Sequence, residues 1–119
     1  MSTIKVDTIK NTSNVEVFTV KAWVNFDGTQ TAANMIRASG NVNSITDNGT
    51  GDYTVNFTTA MPDANYAVTT SAGDATGSNV DAFNPSTTAA PTTSALRMIA
   101  VRSAVGAYDL SRASVAIFR

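Results

Sequence analysis

The feature that most limits what this chain can fold into is an alternation with a period of two. In "VEVFTVKAWVNF" (residues 15–26), Phe18, Val20, Ala22, Val24 and Phe26 fall on one side of an extended chain. Val15, Val17, Thr19, Lys21, Trp23 and Asn25 fall on the other. Side chains that alternate in this way mark a strand with one face buried. "YTVNFT" repeats the pattern, with Tyr53, Val55 and Phe57 against Thr54, Asn56 and Thr58. The inventory excludes a helical alternative: there are 12 Val and 6 Ile but 2 Leu and a single Glu, and Thr, Ser and Asn supply 40 of the 119 residues. These are strand and turn formers. Seven or eight short strands with turn signals between them point to an all-β chain folded as a single antiparallel β-sandwich.

The expected boundaries are an N-terminal strand or docking arm over residues 1–14 and one sandwich domain over 15–119. "NTSN" (11–14) is a turn. "TAANMIRASG" fits one or two helical turns, or a loop leading into a strand "MIRAS", and the second is preferred. In "NVNSIT", Val42 and Ile45 have opposite parity, which predicts a bulge near Asn43 and Ser44. Pro62 stops any strand at "MPDAN", where a turn is expected. "YAVTTS", "ALRMIAVRS" and "ASVAIFR" read as strands, and "AVGAYDLSR" as a turn or short edge strand. Residues 69–94 are small and polar, with a short strand at "VDAF". Their candidate exposed-loop residues are Asp74, Asn79, Asp81, Phe83 and Asn84. The expected core is Phe18, Val20, Val24, Phe26, Tyr53, Val55, Phe57, Val68, Val115 and Ile117. Trp23 and Phe118 have the opposite parity from the core residues of their strands. They are the candidate subunit-interface residues, since interface cores favour aromatics. Alternatively, Trp23 plugs one end of the sandwich or lies under the 69–94 segment.

The acidic, glycine-rich stretch "DNGTGD" (47–52) raises the question of a calcium loop. An EF-hand needs oxygen ligands at positions 1, 3 and 5, glycine at 6 and Glu at 12. Counted from Asp47, position 3 is Gly49, position 5 is Gly51 and position 12 is Thr58. Asn48-Gly49 between two alternating runs is instead a hairpin signal. The chain has no Cys and no His, which removes disulfides, thiolate metal sites and the commonest general base. Asp47, Asp52, Asp63 and Asp74 all fall in expected turns, where Asp ordinarily bonds its own backbone. No enzyme, cofactor or metal is expected. A net charge of −1 without a basic cluster gives no nucleic-acid footprint. No apolar run approaches the ~18 residues of a membrane span, and "MSTIKVDTIK" lacks the apolar run of a signal peptide.

Several blocks resemble structural proteins of tailed bacteriophages: "STIKVDTI", "AWVNFDGT", "IRAS", the stretch "SITDNGTGDYTVNFTTAMPDANYAV" and the terminal "VAIFR". They are similar to the C-terminal receptor-binding module of tail fibres and to small stand-alone virion proteins built on that module. The resemblance implies a homotrimeric β-sandwich displayed on the virion, with other capsid or tail proteins and host surface glycan as partners. A capsid decoration (cement) protein is the alternative: the short chain and its leader suit an arm that docks on a neighbour, whereas a full-length tail fibre is expected to carry a long shaft upstream of such a module. The pattern "V-x-F-x-x-x-M-P" at residues 55–62 is also similar to H-type lectin domains, which implies a glycan-binding module as a second alternative. A core rich in Ala (18 residues) and poor in Leu is thin for one copy, which also favours assembly.

Because the "DNGTGD" spacing fails as a calcium loop, the thermal midpoint is expected to be the same in chelator and in millimolar calcium. A drop of several degrees in chelator that calcium reverses would contradict this.

Overall fold

In the computed structural model, which describes residues 3–74, 82–103 and 105–119, the alternating segments form two antiparallel sheets packed face to face. The strands are β1 (Val20–Phe26), β2 (Ile36–Gly40), β3 (Val42–Gly49), β4 (Asp52–Phe57), β5 (Ala67–Gly73), β6 (Ala82–Pro85), β7 (Ala95–Arg102), β8 (Gly106–Ala107) and β9 (Arg112–Phe118). One sheet has the order β2-β1-β9-β5. The other has the order β3-β4-β7-β6, with the two-residue β8 on β7. The expected all-β sandwich is therefore the observed fold. A short 3-10 turn, Ala32–Asn34, precedes β2, so the "TAAN" stretch turns helically and then gives way to a strand.

The core lies between the sheets and follows the period-two pattern. β1 contributes Ala22, Val24 and Phe26, β4 contributes Tyr53, Val55 and Phe57, and β9 contributes Ala113, Val115 and Ile117. β7 adds Leu96, Met98 and Ala100. Both leucines of the chain, Leu96 and Leu110, are fully buried. Phe26 sits at the centre, with its ring edge-on to Tyr53 at 5.2 Å and to Phe83 at 6.2 Å. Such pairs add roughly 0.5–1.5 kcal/mol beyond area burial.

Bulges explain where simple parity fails. The β3–β4 register shifts between Val42 and Ser44, where opposite parity predicts it, and both Val42 and Ile45 are buried. A second shift lies on β1 between Val20 and Ala22, against Phe118 and Ile117 of β9. One extra residue in a strand turns everything beyond it to the other face. Val20 therefore points outward, and Phe18 is 80% exposed. The expectation that both belong to the core is corrected, and Val68 is only half-buried at its edge. The strand expected from Val15 joins the sheet only at Val20.

Residues 3–19 form an arm instead. Every one of them is exposed. "NTSN" is the expected turn: Asn11 Oδ1 accepts the N–H groups of Ser13 and Val15, and Asn14 has φ 64°. Around it the chain doubles back, with Lys10 bridged to Glu16 and the Val17 N–H donating to Ile9 O at 2.6 Å. The molecule extends 50 × 28 × 27 Å, with a radius of gyration of 15.7 Å. A compact chain of this length has about 13.5 Å.

The hairpin at 47–52 exists, but its turn sits at Thr50-Gly51 rather than Asn48-Gly49. Gly51 holds φ 65°, and a Cβ there would stand 2.6 Å from both Ala100 O and Tyr108 N. Only glycine fits.

Truncating the central ring tests this core. Phe26→Ala is expected to lower the unfolding free energy by about 3–5 kcal/mol, read from the denaturant midpoint at unchanged slope. A loss under about 1 kcal/mol would mean that the two sheets do not meet around Phe26.

Candidate functional site

The outer face of the β2-β1-β9-β5 sheet carries the residues that parity sets apart from the core. Cross-strand partners share a face, so the register builds this surface row by row. Val20, Phe118 and Ala67 form one row. Gly40, Trp23, Ala116 and Thr69 form the next. Ala38, Asn25, Ser114 and Ser71 form the third. The surface passes from apolar at the Val20 end to polar and cationic at the Arg37 and Arg112 end.

Trp23 and Phe118 are thus brought onto one face, 42% and 37% exposed. Trp23 neither plugs an end of the sandwich nor lies in its core. Its indole lies across Gly40 of the neighbouring strand, where a Cβ would stand 2.3 Å from Nε1. The small residues beside it on β9 and β5 leave a trough of about 380 Å³, lined by Trp23, Thr69, Ser71, Ser114 and Ala116 among others. At its polar end the trough continues past Asn25 toward Arg37 and Arg112. Arg37 is held there by Asp27 at 3.3 Å, and it donates to the carbonyls of Phe26 and Ser111.

Of the five candidate exposed-loop residues, the described ones, Asp74, Phe83 and Asn84, are not presented together on an exposed loop. Phe83 lies in β6 with its ring in the core, 4% exposed, which corrects its placement in an exposed loop. The Asp74 side chain is also withdrawn from solvent, at 6%. It accepts from the Tyr108 hydroxyl at 2.7 Å and pairs with Arg102 at 3.5 Å, and Arg102 stacks 4.3 Å over the Tyr108 ring. Asn84 is exposed on β6. Asn79 and Asp81 lie outside the described residues.

Four further acids, Asp47, Asp52, Asp63 and Asp109, have structural partners. Asp47 caps its own turn by accepting from Gly49 N–H. Asp52 is gripped by both arms of Arg97, at 2.8 and 2.5 Å, and hydrogen bonding by that guanidinium holds its pKa below the usual value. Asp63 is gripped in the same way by Arg119, at 2.8 and 2.6 Å, and also accepts Asn65 N–H. Asp109 Oδ1 receives the Gly51 N–H and the Tyr53 hydroxyl. Burial pushes the Tyr53 phenol well above its usual pKa; the Leu110 N–H opposes this and Asp109 adds to it. Tyr53 therefore stays a donor. Among the described residues no three acidic side chains converge as a metal cluster.

The stretch that parity misassigned is 15–19, read as strand although it is exposed like residues 3–14 of the expected arm. Ile4, Val6, Ile9, Val15, Val17 and Phe18 all lie open on the arm, and Val20 lies at its root. Its apolar residues are spaced as in a strand, so only their partner, not their pattern, separates them from core.

Comparison with family models, with curated proteins and with solved structures finds no match for this chain.

The Asp63–Arg119 pair gives a pH test. Arg119 hydrogen bonding first, and then Asn65 N–H, lower the Asp63 pKa to about 2. A depressed carboxylate pKa stabilises the fold above the ordinary value near 4, and that contribution is lost as pH falls through about 2. The Asp63 carboxyl carbon followed by NMR is expected to titrate with a midpoint near 2 and to rise toward the ordinary value in Arg119→Gln, stopping short of it because the Asn65 N–H still donates. An unshifted midpoint in the unmutated chain would show that the pair does not form in solution.

Proposed function

We propose that this chain is a structural protein of a bacteriophage particle. It is a small β-sandwich module that assembles with copies of itself, as a homotrimer, and with other virion proteins. One observation carries this reading: apart from Val105, the exposed large apolar side chains among the described residues are gathered on an arm and on one sheet face. Exposed apolar patches of this kind mark interaction sites. The residues resembling tail-fibre modules and stand-alone virion proteins supply the setting, and the described acids of the turns are engaged in structural pairs.

Of the two places on the particle, the observations favour a decoration or tail-structural element over a host-contacting tip. A glycan-contacting loop uses an exposed aromatic to stack on a sugar. Phe83, the aromatic that the sequence offers at 69–94, belongs to the core. The arm, by contrast, is suited to docking on neighbours.

Localisation on intact particles tests the proposal. Labelling with an antibody against the folded chain is expected to mark particles, at many capsid positions for a decoration protein or at one end for a tail element. Particles that carry no copies would overturn it.

A further inference from the structure

We propose that the arm of each copy docks in the trough beside Trp23 on the next copy, so that assembly proceeds by arm exchange around a closed ring. The inference rests on the reading of the chain as an assembly component, though not on where the assembly sits.

Two unsatisfied features of one copy motivate it. The first is the arm. Its described hydrogen bonds join arm residues to each other. In the doubled-back segment, Ile9 stands opposite Val17 and Asn11 opposite Val15, so Ile9, Val15 and Val17 share one face while Lys10 and Glu16 take the other. That is an amphipathic ribbon whose apolar face covers nothing. The second feature is the trough, a hollow of about 380 Å³ floored by small residues and walled by a half-exposed Trp23. Val20 and Phe118 extend the apolar surface from Trp23 to the point where the arm departs.

Size and reciprocity choose a second copy as the occupant. A specific interface buries about 800 Å² per partner. Six large apolar side chains between Ile4 and Phe18, at 42–88% exposure, are what the arm brings to such an interface. Each copy also gives one arm and offers one trough. A heterologous contact that closes into a ring covers both features in every copy and leaves neither over. A foreign partner for the arm would leave the trough open. The geometry also disfavours a copy covering its own trough. The arm joins the sheet at Val20, the first residue of β1, so covering its own face would require the whole doubled-back ribbon to fold over at that residue.

The experiment is complementation between two variants of the full chain. In the arm variant, Val17→Asp and Phe18→Asp charge a segment that the sandwich does not bury. In the face variant, Ala116→Asp charges the trough floor, with Thr69→Lys as a second version should Ala116→Asp disturb β9. Light scattering at micromolar concentration is expected to give the trimer mass for the unmutated chain. Each variant alone is expected to be monomeric, with an unchanged β circular dichroism spectrum. Mixed one to one, the variants retain one good arm and one good trough between them, so the mixture should form dimers and stop there. An unmutated chain that is monomeric overturns the inference, as does an arm variant that keeps the full mass. A mixture that stays monomeric or grows past two copies also overturns it. Particle labelling reads the virion proposal separately, so labelled particles together with failed complementation would sink arm exchange alone.

Discussion

The hydroxyl of Tyr53 gathers three separate parts of the chain at one point. It donates to Asp109 at 2.9 Å, accepts from Leu110 N–H at 3.2 Å, and lies 3.4 Å from the carbonyl of Gly28. Those three partners belong to the segment leaving β1 and the segment entering β9, while Tyr53 stands in β4 of the opposite sheet. Together with the Gly28 N–H donated to Leu110 O and the Gly51 N–H donated to Asp109, this buried phenol fixes how the two sheets meet at this end. The arrangement requires Gly28, because a Cβ there would lie 2.1 Å from the hydroxyl oxygen. A buried hydroxyl without partners would cost about 1–3 kcal/mol. Here the polar atoms are matched, and among the described residues no buried side-chain polar atom lacks a partner.

With that junction set, β1 and β9 become the neighbouring inner strands of one sheet. Their pairing decides what the molecule shows to its surroundings. The extra residue between Val20 and Ala22 turns the root of the arm outward. Without it, Val20 would continue the inward row of Ala22, Val24 and Phe26. The same register puts Trp23 and Phe118 on one outer face, two rows of a surface that grades from apolar to cationic. Core and interaction surface are thus the two sides of a single strand pair.

The charged residues follow a different logic. Asp52–Arg97, Asp63–Arg119 and Asp74–Arg102 each tie one part of the sandwich to another. Partly exposed pairs of this kind contribute little individually. Their consequence is that the acids drawn from turns are occupied, and what remains open on the molecule is mostly apolar or neutral.

The all-β class, the strands β4, β7 and β9, the bulge near Asn43, the "NTSN" turn and the halt at Pro62 were legible in the residues. Each depends on local parity or on the fixed geometry of a turn former. Parity also separated Trp23 and Phe118 from the core, since alternation reports sidedness. It could not report what lies opposite a side, and so Phe18 and Val20 read as core while Phe83 read as loop. A bulge depends on the partner strand, and an arm differs from a strand only in having no neighbour. The placement of Thr50-Gly51 at the hairpin tip depended on Asp109, Ala100 and Tyr108, which lie far away in sequence. Local chemistry thus determined which residues could bury a face, and only the meeting of distant strands decided which faces were buried and which were left open.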